Sequence, residues 1–131
     1  MSPEILVVSN DDASLATTLK VLNEAGYHAS GASTFEEGKR LIAVNPPHFL
    51  IADERLGNFN GLHLVLRGRY EDPAMGAIVT SSFRDRGLEA EARRLNVDCR
   101  VKPEDPTELL EPISRSLHTA QSRRLRLVHA S

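Results

Sequence analysis

The sequence of 131 residues has no tryptophan, a single cysteine and few aromatic side chains, which make up 5% of the chain. One cysteine, Cys99, cannot form an internal disulfide or a multi-cysteine metal site, and such sparse cysteine is typical of a reducing compartment. The apolar run near the start, Ile5–Val8, is far too short for a signal peptide or a membrane span. We therefore expect a cytoplasmic protein that does not enter a membrane.

An excess of charge of one sign is also lacking. Lys and Arg number 16, Asp and Glu number 18, and the formal net charge is −2. That balance provides no general attraction to nucleic acid or to acidic lipid, so we expect no nucleic-acid partner. The length fits one domain with one ordinary core.

Short apolar runs alternate with helical segments along the chain, which is the pattern of an α/β fold. Strands are predicted at Ile5–Val8, Tyr27–Ala32, Phe49–Ala52, Ala77–Val79 and Val97–Val101. A helix is predicted after each strand, with apolar positions at Leu15, Leu19, Leu22, Leu41, Ile42, Leu62, Val65, Leu66, Leu109, Leu110, Ile113 and Leu117, and a polar fourth helix over Asp85–Leu95. Right-handed crossovers then predict a (βα)5 domain with a doubly wound, five-stranded parallel sheet.

Local signals predict how several of these elements begin and end. The segment Ser33–Glu36 has the pattern of a capping box before the second helix. The segment Glu54–Asn60 is predicted to be a loop, with Gly57 and Asn58 as turn residues. A glycine at position 26 predicts the left-handed end of the first helix.

The domain is predicted to span residues 1–120. Residues 121–131 form a basic tail that includes Arg123, Arg124 and Arg126. We predict that this tail is the end of the last helix or a disordered segment, because terminal residues are often poorly ordered.

The candidate functional residues follow the ends of the predicted strands. In an open doubly wound sheet, ligands bind outside the carboxyl ends of the strands. The polar residues at those ends are Ser9, Asn10, Asp11, Asp53, Thr80, Ser81 and Lys102. Asp53 can act as a nucleophile that forms an acyl phosphate, while Lys102 balances the charge of the phosphoryl oxygens and a hydroxyl donates to them. Each residue alone has an ordinary explanation as a cap, a turn former or a solvated side chain, so the prediction rests on their shared position.

Two segments resemble the receiver domain of bacterial two-component response regulators, and the resemblance covers roughly residues 4–120. In the first, Pro47–Leu62, Asp53 matches the acceptor aspartate of the family. In the second, Val97–Pro103, Lys102 matches the family's lysine. The resemblance implies a flavodoxin/CheY-like fold with strand order 2-1-3-4-5, and a cis peptide bond between Lys102 and Pro103.

The resemblance implies a phosphoacceptor signalling domain that is not an enzyme beyond self-catalysed phosphoryl transfer and autodephosphorylation. Its donor would be a sensor histidine kinase or a phosphotransfer protein, and a stand-alone receiver would signal by binding a downstream protein target. The family often pairs through the face formed by the fourth helix, fifth strand and fifth helix. Charges of both signs there would allow a homodimer, and they are Glu89, Glu91, Arg93, Arg94 and Arg100.

One departure from the family concerns the metal. The acidic pair that holds Mg²⁺ in the family falls on Ser9 and Asn10. The remaining ligands would be Asp53, Asn10, Asp11 and the backbone carbonyl of Arg55. Each missing carboxylate removes about 4 kcal/mol of attraction at 4 Å and an effective dielectric near 20. We expect a Mg²⁺ site that is weak or absent.

Two further departures concern the switch residues. The family's hydroxyl at the end of the fourth strand matches Ser81, whereas counting back from Lys102 favours Thr80, and the choice stays open. The family's switch aromatic, three residues before the lysine, is Cys99 here. We expect Cys99 to be a small buried strand residue without a redox role.

Three functions remain at this point. The first is a receiver that is phosphorylated on Asp53. The second is a pseudo-receiver, a protein-binding module that acts without phosphorylation because Ser9 and Asn10 replace the metal-binding acids. The third is an enzyme of another doubly wound class, which is disfavoured because no glycine-rich phosphate loop follows the first strand and no histidine stands at a strand end.

Overall fold

The computed structural model of the chain describes residues 2–119. Five parallel strands form one sheet in the predicted order 2-1-3-4-5. The strands are β1 (Glu4–Val8), β2 (His28–Ala32), β3 (Phe49–Asp53), β4 (Gly76–Ser81) and β5 (Asp98–Val101). The flavodoxin/CheY-like architecture predicted for the chain is confirmed.

Helices cover both faces of the sheet. They are α1 (Asp12–Glu24), α2 (Phe35–Val44), α3 (Gly61–Glu71), α4 (Arg86–Arg94) and α5, which covers residues 110–119 and follows a 3₁₀ turn at Pro106–Leu109. Leu22 of α1 and Ile113 of α5 pack on one face, and Ile42, Val65 and Leu88 of the other three helices pack on the opposite face. Within residues 2–119, no helix combines the length and apolar character needed to cross a membrane.

The central strands owe their position to unbroken apolar runs. In β3, Phe49 and Ile51 face α1 and α5, while Leu50 and Ala52 face the other helices. All four side chains are at most 4% exposed. A strand buried on both faces needs apolar residues at successive positions, which is why the sequence shows a run and not an alternation. This burial fixes the register that carries Asp53 to the carboxyl end of the sheet.

Several local predictions are wrong in detail. Thr34, and not Ser33, caps α2, because the Thr34 side chain accepts a hydrogen bond from the N–H of Glu37. Leu66 is 47% exposed, although we predicted it on the apolar side of α3. The buried arc of α3 is instead centred on Val65 and extends to Leu64, which leaves Leu66 just outside it.

The segment predicted as a loop between β3 and α3 is a small hairpin. Its two short antiparallel strands are Arg55–Leu56 and Phe59–Asn60. Gly57 turns the chain with φ +66°, a conformation that glycine adopts without steric cost. The ring of Phe59 stacks on Phe35 of α2 with centroids 4.5 Å apart. The hairpin is therefore anchored to α2, and the predicted turn residue Gly57 is confirmed.

The start of α3 lies against the backbone of Asp53. The N–H of Gly61 donates to the carbonyl of Glu54 at 2.8 Å. A Cβ atom at position 61 would overlap the carbonyl oxygen of Asp53 and contact Ala52. The absence of a side chain at Gly61 therefore lets α3 approach the strand end that presents Asp53.

We predict that Gly61→Ala lowers the free energy of unfolding by roughly 1–3 kcal/mol, because the added methyl group displaces either α3 or the end of β3. Urea denaturation followed by circular dichroism measures the change. Gly87→Ala, within α4, is the matched control and should shift it by less than about 1 kcal/mol. Equal stability of Gly61→Ala and the wild type would contradict the close approach.

Candidate functional site

The carboxyl edge of the sheet brings the predicted polar residues together. Asp53 at the end of β3 is the register partner of Thr80 in β4. The N–H of Glu54 donates to the carbonyl of Thr80 at 2.7 Å, and the N–H of Lys102 donates to the carbonyl of Ser81 at 2.8 Å. The strand pairing therefore continues one residue past each strand and fixes the backbone of the site.

The Asp53 carboxylate accepts contacts from four donors. Its Oδ1 lies 2.9 Å from the Lys102 Nζ and accepts a hydrogen bond from the Thr80 hydroxyl at 3.1 Å. Its Oδ2 accepts hydrogen bonds from the Ser9 hydroxyl at 2.7 Å and from the N–H of Asn10 at 3.3 Å. A carboxylate has about four lone-pair positions, so the side chain is fully engaged.

The ion pair between Lys102 and Asp53 is partly shielded from water. The Asp53 side chain is 13% exposed and the Lys102 side chain 32% exposed. A charge-assisted contact in such a place is stronger than one between solvated side chains, because solvent screens it less. The negative charge of Asp53 is therefore balanced by the protein itself.

Ser9 contributes more than we predicted for a residue that replaces an acid. The residue is 2% exposed, and its Oγ accepts from the Lys102 Nζ at 3.2 Å and from the N–H of Asp11 at 3.2 Å. The Ser9 hydroxyl in turn donates to the Asp53 Oδ2 at 2.7 Å, which is the shortest of its contacts. The sequence carried one signal for this role, namely a small hydroxyl residue in the position of a family acid.

The other predicted residues lie nearby but have different partners. The Ser81 hydroxyl donates to the carbonyl of Phe83 at 2.6 Å, so Thr80 is the hydroxyl that contacts Asp53. The Asp11 carboxylate caps α1 by accepting from the N–H of Ser14 at 3.1 Å. Arg55 lies at the start of the hairpin and lines the same cavity as Asp53.

Two cavities reach the carboxylate from the surface. One, of about 440 Å³, is lined by Asn10, Asp11, Asp53 and Lys102, among other residues. The second, of about 460 Å³, lies between α1 and the segment after β5, and it also includes Asp53 and Lys102. The Asp53 carboxylate can therefore be reached from the surface although the side chain is only 13% exposed.

The donor set does not fit a divalent cation well. Mg²⁺ takes octahedral oxygen ligands, usually one or two carboxylates that are free to coordinate it, together with waters. In the described part of the chain, no group of three or more His, Cys, Asp or Glu side chains is placed to hold a metal. Both oxygens of Asp53 are bound by protein donors, and Asp11 is occupied as a helix cap. A Mg²⁺ ion here would have to compete with Lys102 for the same carboxylate.

The region after α4 differs from the expectations at two places, the Lys102–Pro103 peptide bond and the burial of Cys99. Residues 2–119 contain no cis peptide bond, so the bond between Lys102 and Pro103 is trans, contrary to the expectation. Cys99 is partly buried in β5 and packs against the core. Desolvation raises the pKa of the Cys99 thiol, and the charge of Glu89 raises it further.

The chain is similar in sequence to known bacterial regulatory proteins. No protein-family model matches the chain. The acid tolerance regulatory protein ActR of Sinorhizobium medicae is 28% identical over 109 residues, which are 81% of this chain and 55% of that protein. The alginate biosynthesis transcriptional regulatory protein AlgB of Pseudomonas aeruginosa is 27% identical over 118 residues, which are 89% of this chain and 26% of that protein. The chain thus spans about half or less of these two relatives.

Among solved structures, the chain is similar to CheY-like proteins. A CheY-like response regulator receiver domain protein from Methanospirillum hungatei has a TM-score of 0.86 at 25% identity, covering 94% of this chain and 99% of that one. The chemotaxis protein CheY4 of Vibrio cholerae has a TM-score of 0.80 at 18% identity, covering 88% of this chain and 99% of that one. The second likeness concerns the fold alone.

We predict that Cys99 reacts slowly with iodoacetamide at neutral pH. Its raised pKa leaves less of the reactive thiolate at a given pH than an ordinary thiol has. The alkylation rate, followed by intact mass, should be lower in the native protein than in urea, and the native rate should begin to rise at a higher pH. Coincident pH profiles in the two states would contradict the prediction.

Proposed function

We propose that this chain, a receiver domain of the two-component response-regulator type, signals by accepting a phosphoryl group on Asp53. The observation that supports this function is the position of the Asp53 carboxylate between the Lys102 ammonium and the Thr80 hydroxyl. An acyl phosphate at this position would gain charge balance from the first group and a hydrogen bond from the second. The donor would be a sensor histidine kinase or a phosphotransfer protein.

The transfer is a nucleophilic displacement at phosphorus. An oxygen of Asp53 forms the new O–P bond, and the P–N bond to the donor histidine breaks. The imidazole leaves with the electron pair of that bond.

The signal would pass to a downstream protein by a shift between two conformations of the domain. Phosphorylation replaces a carboxylate by a group with more charge and more acceptor oxygens, so Lys102 and Thr80 would follow the phosphoryl oxygens. Cys99 offers no aromatic ring to swing inward, so the movement would involve the segment that contains Thr80, Ser81 and Phe83. Pairing through α4, β5 and α5 remains a further proposal.

A binding module that works without phosphorylation is the second candidate. One observation favours it: the hydroxyl of Ser9 and the N–H of Asn10 already occupy the Oδ2 atom of Asp53. A carboxylate with every lone pair engaged is a weaker nucleophile. In that case the ion pair with Lys102 would serve to hold the strand ends together for a partner.

Incubation with acetyl phosphate or phosphoramidate distinguishes the two candidates. We predict that intact mass rises by one phosphoryl unit, because these small donors transfer to the same carboxylate with loss of acetate or ammonia. The gain should disappear in Asp53→Asn and persist in Asp12→Asn, a matched control on the exposed first turn of α1. No gain with either donor, with and without Mg²⁺, would favour the binding module.

The two strand-end hydroxyls can be separated by substitution. We predict that Thr80→Val slows phosphoryl incorporation by roughly 10- to 100-fold, because a hydrogen bond to a charged group contributes about 1.5–3 kcal/mol. Ser81→Ala should change the rate little, since the Ser81 hydroxyl donates to Phe83 and not to Asp53. Time courses of intact mass give both rates, and a larger loss in Ser81→Ala would reverse the assignment.

A further inference from the structure

The charges of the side chains in direct contact at Asp53 sum to zero without any ion. The carboxylate carries one negative charge, and the Lys102 ammonium 2.9 Å away carries one positive charge. The residues that fall where the family has its acids are Ser9 and Asn10, which are neutral. The Lys102 ammonium would repel a divalent cation at this carboxylate. Of the other carboxylates that line the same cavity, Asp11 and Asp85 are engaged as helix caps, and Glu54 is accompanied by the positive charge of Arg55.

The Ser9 hydroxyl fills the space beside Oδ2. It donates to Asp53 at 2.7 Å and accepts from Lys102 at 3.2 Å, so it joins the two charged groups on the side opposite Thr80. The N–H of Asp11 fixes the hydroxyl from a third direction at 3.2 Å. Ser9 is 2% exposed, and water has little access to compete for these contacts.

We infer that Ser9 is a positioning residue that, together with Lys102, takes the place of a divalent cation at Asp53. The inference rests on the proposed function, since it states how the same site works. Phosphoryl transfer from acetyl phosphate then needs no metal: the O–P bond to Asp53 forms, the P–O bond to acetate breaks, and acetate leaves with the electron pair. Lys102 supplies the positive charge, and the hydroxyl orients the carboxylate.

The inference predicts that a carboxylate at position 9 turns the cluster into a cation site. Ser9→Asp places a second negative charge beside Oδ2, and the cluster then has a net charge of −1. Asn10→Asp adds the charge at an exposed residue, and it keeps the test available if the buried substitution prevents folding. Ser33→Asp, on the exposed turn before α2, is the control with the same change of charge.

Cation binding can be measured without any phosphorylation, by recording amide NMR spectra during a titration with MgCl₂. We expect the amides of Asp11 and Glu54 to show no saturable shift in the wild type or in Ser33→Asp. In Ser9→Asp or Asn10→Asp the shifts should saturate, with an apparent affinity at least about tenfold higher than the weakest binding that the titration could still detect in the wild type. Saturable binding by the wild type as strong as that of the folded acidic variants would overturn the inference.

Phosphorylation rates give the second readout. The wild-type rate with acetyl phosphate should differ by less than about twofold between EDTA and Mg²⁺, whereas Ser9→Asp should need Mg²⁺. Ser9→Ala should slow the wild-type rate in EDTA by about tenfold, and Ser9→Thr, which retains the hydroxyl, should restore it. A wild-type rate that vanishes in EDTA would contradict the inference and support the proposed function. If the wild type accepts no phosphoryl group in either condition, the proposed function fails, and the titration still decides whether the site excludes the cation.

Discussion

The ion pair between Lys102 and Asp53 is the interaction on which the site depends. A carboxylate that is 13% exposed needs compensation for the water it loses, and Lys102 at 2.9 Å provides the opposite charge. Ser9, the Asn10 N–H and Thr80 satisfy its remaining lone pairs. These donors lie in or directly after β1, β4 and β5, and Asp53 ends β3, so the cluster forms only when these four strands are in register. The doubly wound core fixes that register, and the charged cluster at its edge depends on the core.

The sheet could be predicted because its central strands are apolar at successive positions. Phe49–Ala52 is such a segment, and it is preceded by two prolines and a histidine and followed by the polar residues Asp53 and Glu54. The details that failed depend on tertiary contacts. Leu66 lies outside the buried arc of α3, which is set by how closely the helix approaches α2 and the sheet. The hairpin after β3 is anchored through the stacking of Phe59 on Phe35, two rings far apart in the sequence.

The location of the site could be predicted from the sequence, because it depends on the same parallel sheet. Residues that follow parallel strands meet at one edge, so the proximity of Asp53, Thr80 and Lys102 was predictable before any distance was known. The choice between Thr80 and Ser81 was not, because it depends on which side chain of the fourth strand points toward Asp53. The contribution of Ser9 was also missed. In the family pattern, Ser9 stands only for a missing acid. In the structure, the Ser9 hydroxyl donates to the Asp53 carboxylate and accepts from Lys102.

Whether Asp53 accepts a phosphoryl group without a metal can be tested by locating the acyl phosphate after reaction in EDTA. Borohydride reduces an aspartyl phosphate to homoserine, and peptide mass mapping then identifies the modified position. After treatment with phosphoramidate in EDTA, we expect homoserine at position 53 and at no other aspartate. Homoserine that forms only when Mg²⁺ is present, or that forms at another aspartate, would contradict a site in which Lys102 supplies the positive charge and Ser9 orients the carboxylate without a metal.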